Sequence, residues 1–476
     1  MKIQILVLLA AVFAFIGCGD MPSKDVQKIK DKYGQYGPDE DIDGQYGPDE
    51  NIGGCITGDR KTENGEVSEC VDGSWALIRV TRQWGTANSD YGNSVAVDAS
   101  GAIYVTGYTY GALDGNTSTG EWDSDIFLTK WNADGTKAWT KQRGTANWDV
   151  GHSVAVDASG AIYVTGITGG ALDGNTSAGG YDIFLTKWNA NGTKAWTRQW
   201  GTANSDYGNS VAVDAFGAIY VTGWTGGALD GNTSAGGRDI FLTKWNADGT
   251  KAWTKQWGTA GYDEGSSVAV DAFGATYVTG STRGALDGNT SAGGYDIFLT
   301  KWNANGTKAW TRQRGTTDED YGYSVAVDAF GATYVTGSTR GALDGNTSAG
   351  EDDIFLTKWN ADGTKAWTKQ WGTADWDVGL SVAVDASGAI YVTGSTEGAL
   401  DGNTSAGSDD IFLTKWNADG TKAWTKQWGT TENDYGSSVA VDASGAIYVT
   451  GYTGGALDGN SSAGNSDIFL SIINQN

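Results

Sequence analysis

The sequence predicts an all-β chain folded as one seven-bladed β-propeller with four antiparallel strands per blade, and three observations carry that expectation. The string SVAVDA begins at Ser94, Ser153, Ser210, Ser267, Ser324, Ser381 and Ser438, spacings of 59 residues and then of 57. Each copy holds four strand-like stretches separated by turn residues. The last copy stops after its third stretch, while an unpaired fourth stretch at 78–85 stands ahead of the first.

The elements follow in order. Residues 94–98 alternate apolar with small or polar side chains, as a half-buried strand does. A short turn, Ala99-Ser100-Gly101, leads to a second strand over 102–107. The longer loop GALDGNTS leads to a third over 125–131. Asn132-Ala133-Asp134-Gly135 is a strong hairpin signal, and a fourth strand follows over 136–142. Units of four strands repeated radially are propeller blades. No stretch combines a 3.6-residue period with helix caps, which excludes a helical solenoid. The stray stretch 78–85 is expected to complete the last blade, closing the ring so that no sheet edge stays open.

The pattern DYGNSVAVDASGAIYVTG…DIFLTKWNADGTKAWTKQ resembles the bacterial seven-bladed β-propeller repeat family, over residues 76–472. The resemblance implies the fold and an envelope setting, and it brings no catalytic motif. Asp-Gly-Thr-Lys-Ala-Trp is also loosely similar to the tryptophan docking motif of quinoprotein propellers and of outer-membrane assembly lipoproteins. The eight blades and the quinone- and calcium-holding residues typical of quinoproteins are not evident.

Residues 1–17 read as a signal peptide, with Lys2 ahead of an apolar run too short for a confident membrane span. Phe15-Ile16-Gly17-Cys18 resembles a lipobox, which implies that Cys18 is diacylated and becomes the mature N-terminus; two chains anchor stably. Residues 18–54 form an acidic tether expected to be disordered, with all three prolines and a tandem decamer. Cys55 and Cys70 remain as one pair, expected to close a small hairpin over 55–75 in an oxidising compartment. The propeller occupies 76–476. Localisation to the bacterial envelope, on the outer membrane, follows from the anchor.

A formal charge of −25 excludes nucleic acid as a natural partner and disfavours direct docking on anionic lipid. A catalytic triad needs a base, and His152 is the only histidine. No phosphate loop is present, and no pair of acids stands out for glycoside cleavage. The expectation is therefore a binding protein without a cofactor, set against two alternatives: a periplasmic assembly scaffold and a propeller enzyme. The loop Asp114-Gly115-Asn116-Thr117-Ser118 places oxygens of Asp114, Asn116 and Ser118 at alternate residues, as calcium loops do, but lacks the downstream Glu. A turn held by the Asp side chain is the competing reading.

Tryptophans at the ends of strands three and four recur in fixed register and are expected to pack between blades. Variation gathers elsewhere. Before strand one the copies read NSDYGN, NWDVGH, NSDYGN, GYDEGS, DEDYGY, DWDVGL and ENDYGS, and the loop between strands two and three also differs. Antiparallel geometry puts both variable connections on one face and the two constant turns on the other. Loops on a rigid scaffold commonly carry binding. The candidate ligand face comprises Trp122, Trp148, Asp149, His152, Trp224, Tyr262, Glu264, Glu319, Trp376 and Glu432. The partner is expected to be a protein or a glycan.

Overall fold

The computed structural model describes residues 59–71, 74–120 and 123–474. The signal peptide, Cys18, the tether and Cys55 lie outside them. Seven sheets follow one another along the chain. The first blade comprises Asp90–Val97, Ile103–Thr109, Asp125–Trp131 and Lys137–Arg143, each strand antiparallel to the next. Five further blades repeat it. The seventh draws three strands from the C-terminal end, Asp434–Val441, Ile447–Thr453 and Asp467–Ile473, and its fourth, Ser74–Trp84, from the N-terminal end. Arg79 pairs with Ile473 and Trp84 with Ile468, the expected closure.

The first strands stand side by side around the axis, the seventh against the first. A belt of hydrogen bonds joins them. Ser94 Oγ accepts from the Val154 amide of the next blade, Ser153 from Val211, Ser210 from Val268, and so on round to Ser438, which accepts from Val95. Seven such bonds of 3.1–3.2 Å complete the circle. A backbone N–H left unpaired by the bulge described below is satisfied here by a neighbour's hydroxyl.

Between blades the recurrent aromatics pack as expected. The tryptophan ending one fourth strand meets the third-strand tryptophan of the next blade edge to face: Trp84 with Trp131, Trp200 with Trp245, Trp257 with Trp302 and Trp371 with Trp416, at 5.0–5.1 Å. Where arginine replaces tryptophan, Arg143 and Arg314 lie over Trp188 and Trp359 and reach Asp173 and Asp344. Packing, not ligand display, explains these fixed positions.

The loop after strand two folds back along the outer strand. Leu113 is buried, its amide bonded to Gln142 Oε1, and Asp114 adopts φ 50°. The Asp114 carboxylate takes Lys137 Nζ and Thr140 Oγ1, Asn116 donates to Leu113 O, and Ser118 donates to Gly120 O. These bonds clamp the loop onto the blade's edge. No group of three or more acidic, His or Cys side chains suited to a metal is found among the described residues.

The N-terminal hairpin is not a body of its own. Arg60–Glu63 and Glu66–Val71, turned at Asn64-Gly65, pair onto Ser74–Trp84 and extend the seventh sheet to six strands. Cys70 is buried within it. The chain enters the ring on the side of the constant turns, because Ser74–Trp84 runs from that side toward the variable loops.

Candidate functional site at the mouth of the ring

Each first strand begins Asp-x-Gly-y-Ser, and the y position is irregular in all seven blades. In the first, Gly92 pairs with Gly107 and Ser94 with Thr106, which leaves Asn93 as an extra residue. His152, Asn209, Ser266, Tyr323, Leu380 and Ser437 occupy the same bulge in the others. A bulge re-aims the side chain it carries. All seven of these side chains line one cavity of about 640 Å³ on the variable face. That volume lies within the range of small-molecule sites.

Two local devices hold the bulges. The Asp that opens each motif is buried and accepts from the amide and hydroxyl of the Thr four residues earlier, as Asp149 does from Thr145. Glycine is obligatory opposite: a Cβ on Gly107 would lie 1.8 Å from Tyr91 O, and on Gly223 1.7 Å from Tyr207 O. Burial lifts Asp149 to about 6, against the opposing pull of its Thr hydrogen bonds.

Aromatic rings surround the mouth on the side of blades seven to three. Tyr435 stacks on Tyr452 at 4.8 Å, Tyr452 meets Tyr91 edge-on at 4.7 Å, and Tyr91 stacks on Tyr108 at 4.8 Å. Tyr110 continues the series to Trp148 at 6.4 Å. Beyond it, Tyr181 packs edge-on against Tyr207, which also stacks on Trp224 at 4.2 Å. Burial drives the Tyr108 phenol up, so it stays protonated.

Three bulge residues share one role. Asn93 Nδ2 donates to Gly151 O, His152 Nδ1 to Gly208 O and Asn209 Nδ2 to Gly265 O, each bond crossing to the next blade. Burial pushes the His152 imidazole down, favouring the neutral ring. With Nδ1–H committed to a carbonyl, Nε2 is the acceptor. Among the described residues no acid is hydrogen-bonded to His152.

Charge sits outside the mouth, on the rim of blades three to six. Arg238 pairs with Glu264 and covers Trp224 at 4.1 Å and Tyr262 at 5.4 Å. Arg340 reaches Asp352 at 3.3 Å and Glu319 at 3.6 Å, and Trp376 donates to Glu351. None of the fourteen residues lining the cavity is Asp, Glu, Lys or Arg.

The structure sorts the candidates named from sequence. Trp148 and His152 line the cavity, and Trp148, Tyr262 and Trp376 are 45–49% exposed. Glu264 and Glu319 belong to the rim ion pairs, and Glu432 is exposed with its amide bonded to Thr430 Oγ1. Two placements differ from the expectation of surface contacts. Asp149 is fully buried as a turn anchor, and Trp224 is buried between Tyr207 and Arg238. Trp122 lies outside the described residues. Sequence reasoning passed over Asn93, Asn209, Ser266, Tyr323, Leu380 and Ser437, although each is the last letter of a hexapeptide already recognised as variable. The opposite face is also less uniform than expected. Phe216, Phe273 and Phe330, on the first turns of three consecutive blades, are 81%, 81% and 89% exposed.

Comparison with known proteins fits the repeat. The β-propeller repeat family matches at 81–113, 195–229, 252–286, 309–343 and 423–457. A regulatory protein of Caulobacter vibrioides, FlaEY, is 28% identical over 274 residues, covering 50% of this chain and 29% of its own length. The chain thus spans less than a third of that relative. Among solved structures, the polysaccharide lyase Uly1 aligns at 13% identity and a TM-score of 0.45, covering 85% of this chain and 94% of the lyase. The Neurospora crassa Pan2 WD40 domain aligns at 7% identity and 0.45, covering 83% and 97%. Neither likeness is close enough to speak for ligand or activity.

Proposed function

We propose that this chain, five stretches of which match the β-propeller repeat family, is a lipid-anchored envelope protein that binds a ligand at the variable face. One observation carries this reading: seven bulges present side chains of five different kinds to one cavity, whereas the belt of serines and valines beneath them is constant. A scaffold selected only for stability has no use for that contrast. His152 commits Nδ1 to the Gly208 carbonyl, a positioning contact that suits a binding site.

The anchor is tested by metabolic labelling with a palmitate analogue in the wild type and in Cys18→Ala; label in the wild type alone is expected, label in both would move the acyl group away from Cys18, and label in neither would remove the lipid anchor from this reading. Protease treatment of intact cells then separates two settings. Loss of the propeller places the mouth outside the cell, where it meets external ligands. Protection until lysis places it in the periplasm and shifts the reading to an envelope-assembly scaffold.

A further inference from the structure

The cavity at the mouth has a chemistry unlike the rest of the molecule. Charged residues make up 19% of the chain, and the net charge is −25, yet no charged side chain lines this cavity. Beside the aliphatic Val150, Ile167 and Leu380, its lining presents two kinds of surface. Six aromatic side chains, Tyr108, Tyr110, Trp148, Tyr181, Tyr207 and Tyr323, supply flat apolar area with polar edges. Amides, hydroxyls and a neutral imidazole (Asn93, Asn209, Ser266, Ser437 and His152) supply the remainder of the polar lining.

Each class of ligand makes a demand that this lining meets or fails. A phosphate or carboxylate calls for Arg, Lys or a cluster of free amides. A cationic peptide or a divalent cation calls for carboxylates. Both charges are available nearby, in Arg238, Glu264, Arg340 and Asp352, but they are paired with each other on the rim. A purely apolar ligand leaves the hydroxyls and amides unsatisfied at a cost of about 1–3 kcal/mol each. A pyranose ring satisfies both halves. Its axial C–H faces lie against aromatic rings, and its hydroxyls both donate and accept, as do the phenols, serines and asparagines around them.

We infer that the mouth of the ring binds a short, uncharged oligosaccharide, stacked on the aromatic arc from Tyr110 to Tyr207 and hydrogen-bonded by the bulge residues. This rests on the proposed binding face and adds its ligand class. Preorganisation favours it. Within the arc Tyr110 meets Trp148 and Tyr181 meets Tyr207, and Asn93, His152 and Asn209 are each fixed by a carbonyl of the next blade, so little side-chain freedom is lost on binding.

The test uses the purified full chain and a glycan array carrying neutral oligosaccharides (gluco-, manno-, galacto- and N-acetylglucosamine series) beside uronic and sialylated ones. Titration calorimetry follows with the strongest neutral probe. The expected result is binding confined to neutral probes, weakened at least tenfold by Trp148→Ala and by Tyr110→Ala. Phe330→Ala, on the opposite face, leaves binding unchanged, and circular dichroism melts show all three variants folded. Binding only to acidic probes, or to none, overturns the inference. In that event the binding-face reading is judged separately, by whether Trp376→Ala and Trp148→Ala abolish retention of a crosslinked protein partner. Loss there leaves the face intact with a protein ligand, and no change overturns both.

Discussion

Arg79 grips Asp458 with both arms of its guanidinium, Nε to Oδ2 at 2.8 Å and Nη2 to Oδ1 at 2.5 Å, across 379 residues of sequence. In the first blade the equivalent aspartate, Asp114, is held by Lys137, one position earlier in the fourth strand. The N-terminal strand carries Ile78 there, and Arg79 substitutes for the missing cation from the next residue while also lying over Trp428 at 4.7 Å. Both partners are nearly buried, with side chains 12% and 9% exposed.

Arg79→Ala is therefore expected to destabilise the ring by about 3–5 kcal/mol, because it strands a buried carboxylate. Urea unfolding measures the loss. Limited proteolysis adds a local readout, with cleavage near Ser74–Trp84 preceding global unfolding. A change below about 1 kcal/mol would mean the closing strand is held by its backbone pairing alone.

Gly223→Ala is expected to be among the most damaging single substitutions, since the new methyl meets Tyr207 O at 1.7 Å. Backbone cannot swing aside as a side chain does. Overpacking of this kind costs about 1–3 kcal/mol or more. The affected bulge holds Asn209, so ligand affinity falls together with the melting temperature.

The buried aspartates give the protein a pH signature. Burial raises Asp149 to about 6 and moves Asp90, Asp206, Asp263, Asp320, Asp377 and Asp434 in the same direction. An unfolded aspartate titrates near ~3.9. Between about pH 4 and pH 6 the folded chain keeps a proton that the unfolded chain has released, so this contribution falls as pH rises through the window. Asp173 behaves oppositely. Burial works against its ionisation, but Lys194 and Thr197 outweigh it and hold the carboxyl low, so its contribution is present above the unfolded value and lost in stronger acid. Thermal melts are expected to peak in mild acid. Asp149→Asn should flatten the limb between pH 4 and 6, by about 2–3 kcal/mol at most; an unchanged limb would place the proton elsewhere.

Phe216, Phe273 and Phe330 stand where the other four blades carry Ser100, Ser159, Ser387 and Ser444. Replacing all three by Ser is expected to leave stability within about 0.5 kcal/mol per site, as for exposed positions without partners. Binding of a hydrophobic dye to the native protein should fall. A large loss of stability would show these rings to be packed in solution.

The blades, their four strands and the split closure were legible because each blade is written out nearly unchanged, and a pattern seen seven times needs no statistics. The mouth was only half legible. Side chains on a regular strand alternate faces, and that rule fails at Asn93 and its counterparts, where an extra residue turns the side chain toward the axis. Trp148 was found because it varies and is aromatic, whereas Ser266 and Leu380 vary without looking like contacts. Asp149 carries two readings, since an acid in a variable hexapeptide reads as a contact while an Asp-x-Gly that recurs in all seven copies reads as a turn device, and the second is what the structure shows. The hairpin's attachment to the seventh sheet had no repeat to announce it, since Glu66–Val71 pairs along an edge that the other blades leave free.

The split blade also imposes an order in time. The strand Ser74–Trp84 leaves the ribosome well before its partner Asp467–Ile473. At about 5–20 residues per second, the separation of 379 residues between Arg79 and Asp458 is a wait on the order of 20–75 s. Throughout it, six near-identical blades assemble beside a strand that resembles every one of their own fourth strands. The hairpin arrives first and occupies one edge of that strand, halving the surface open to a wrong partner. Ile78 and Arg79, which break the Lys-Ala-Trp signature of the other copies, make the remaining edge a poor substitute within any blade but the last.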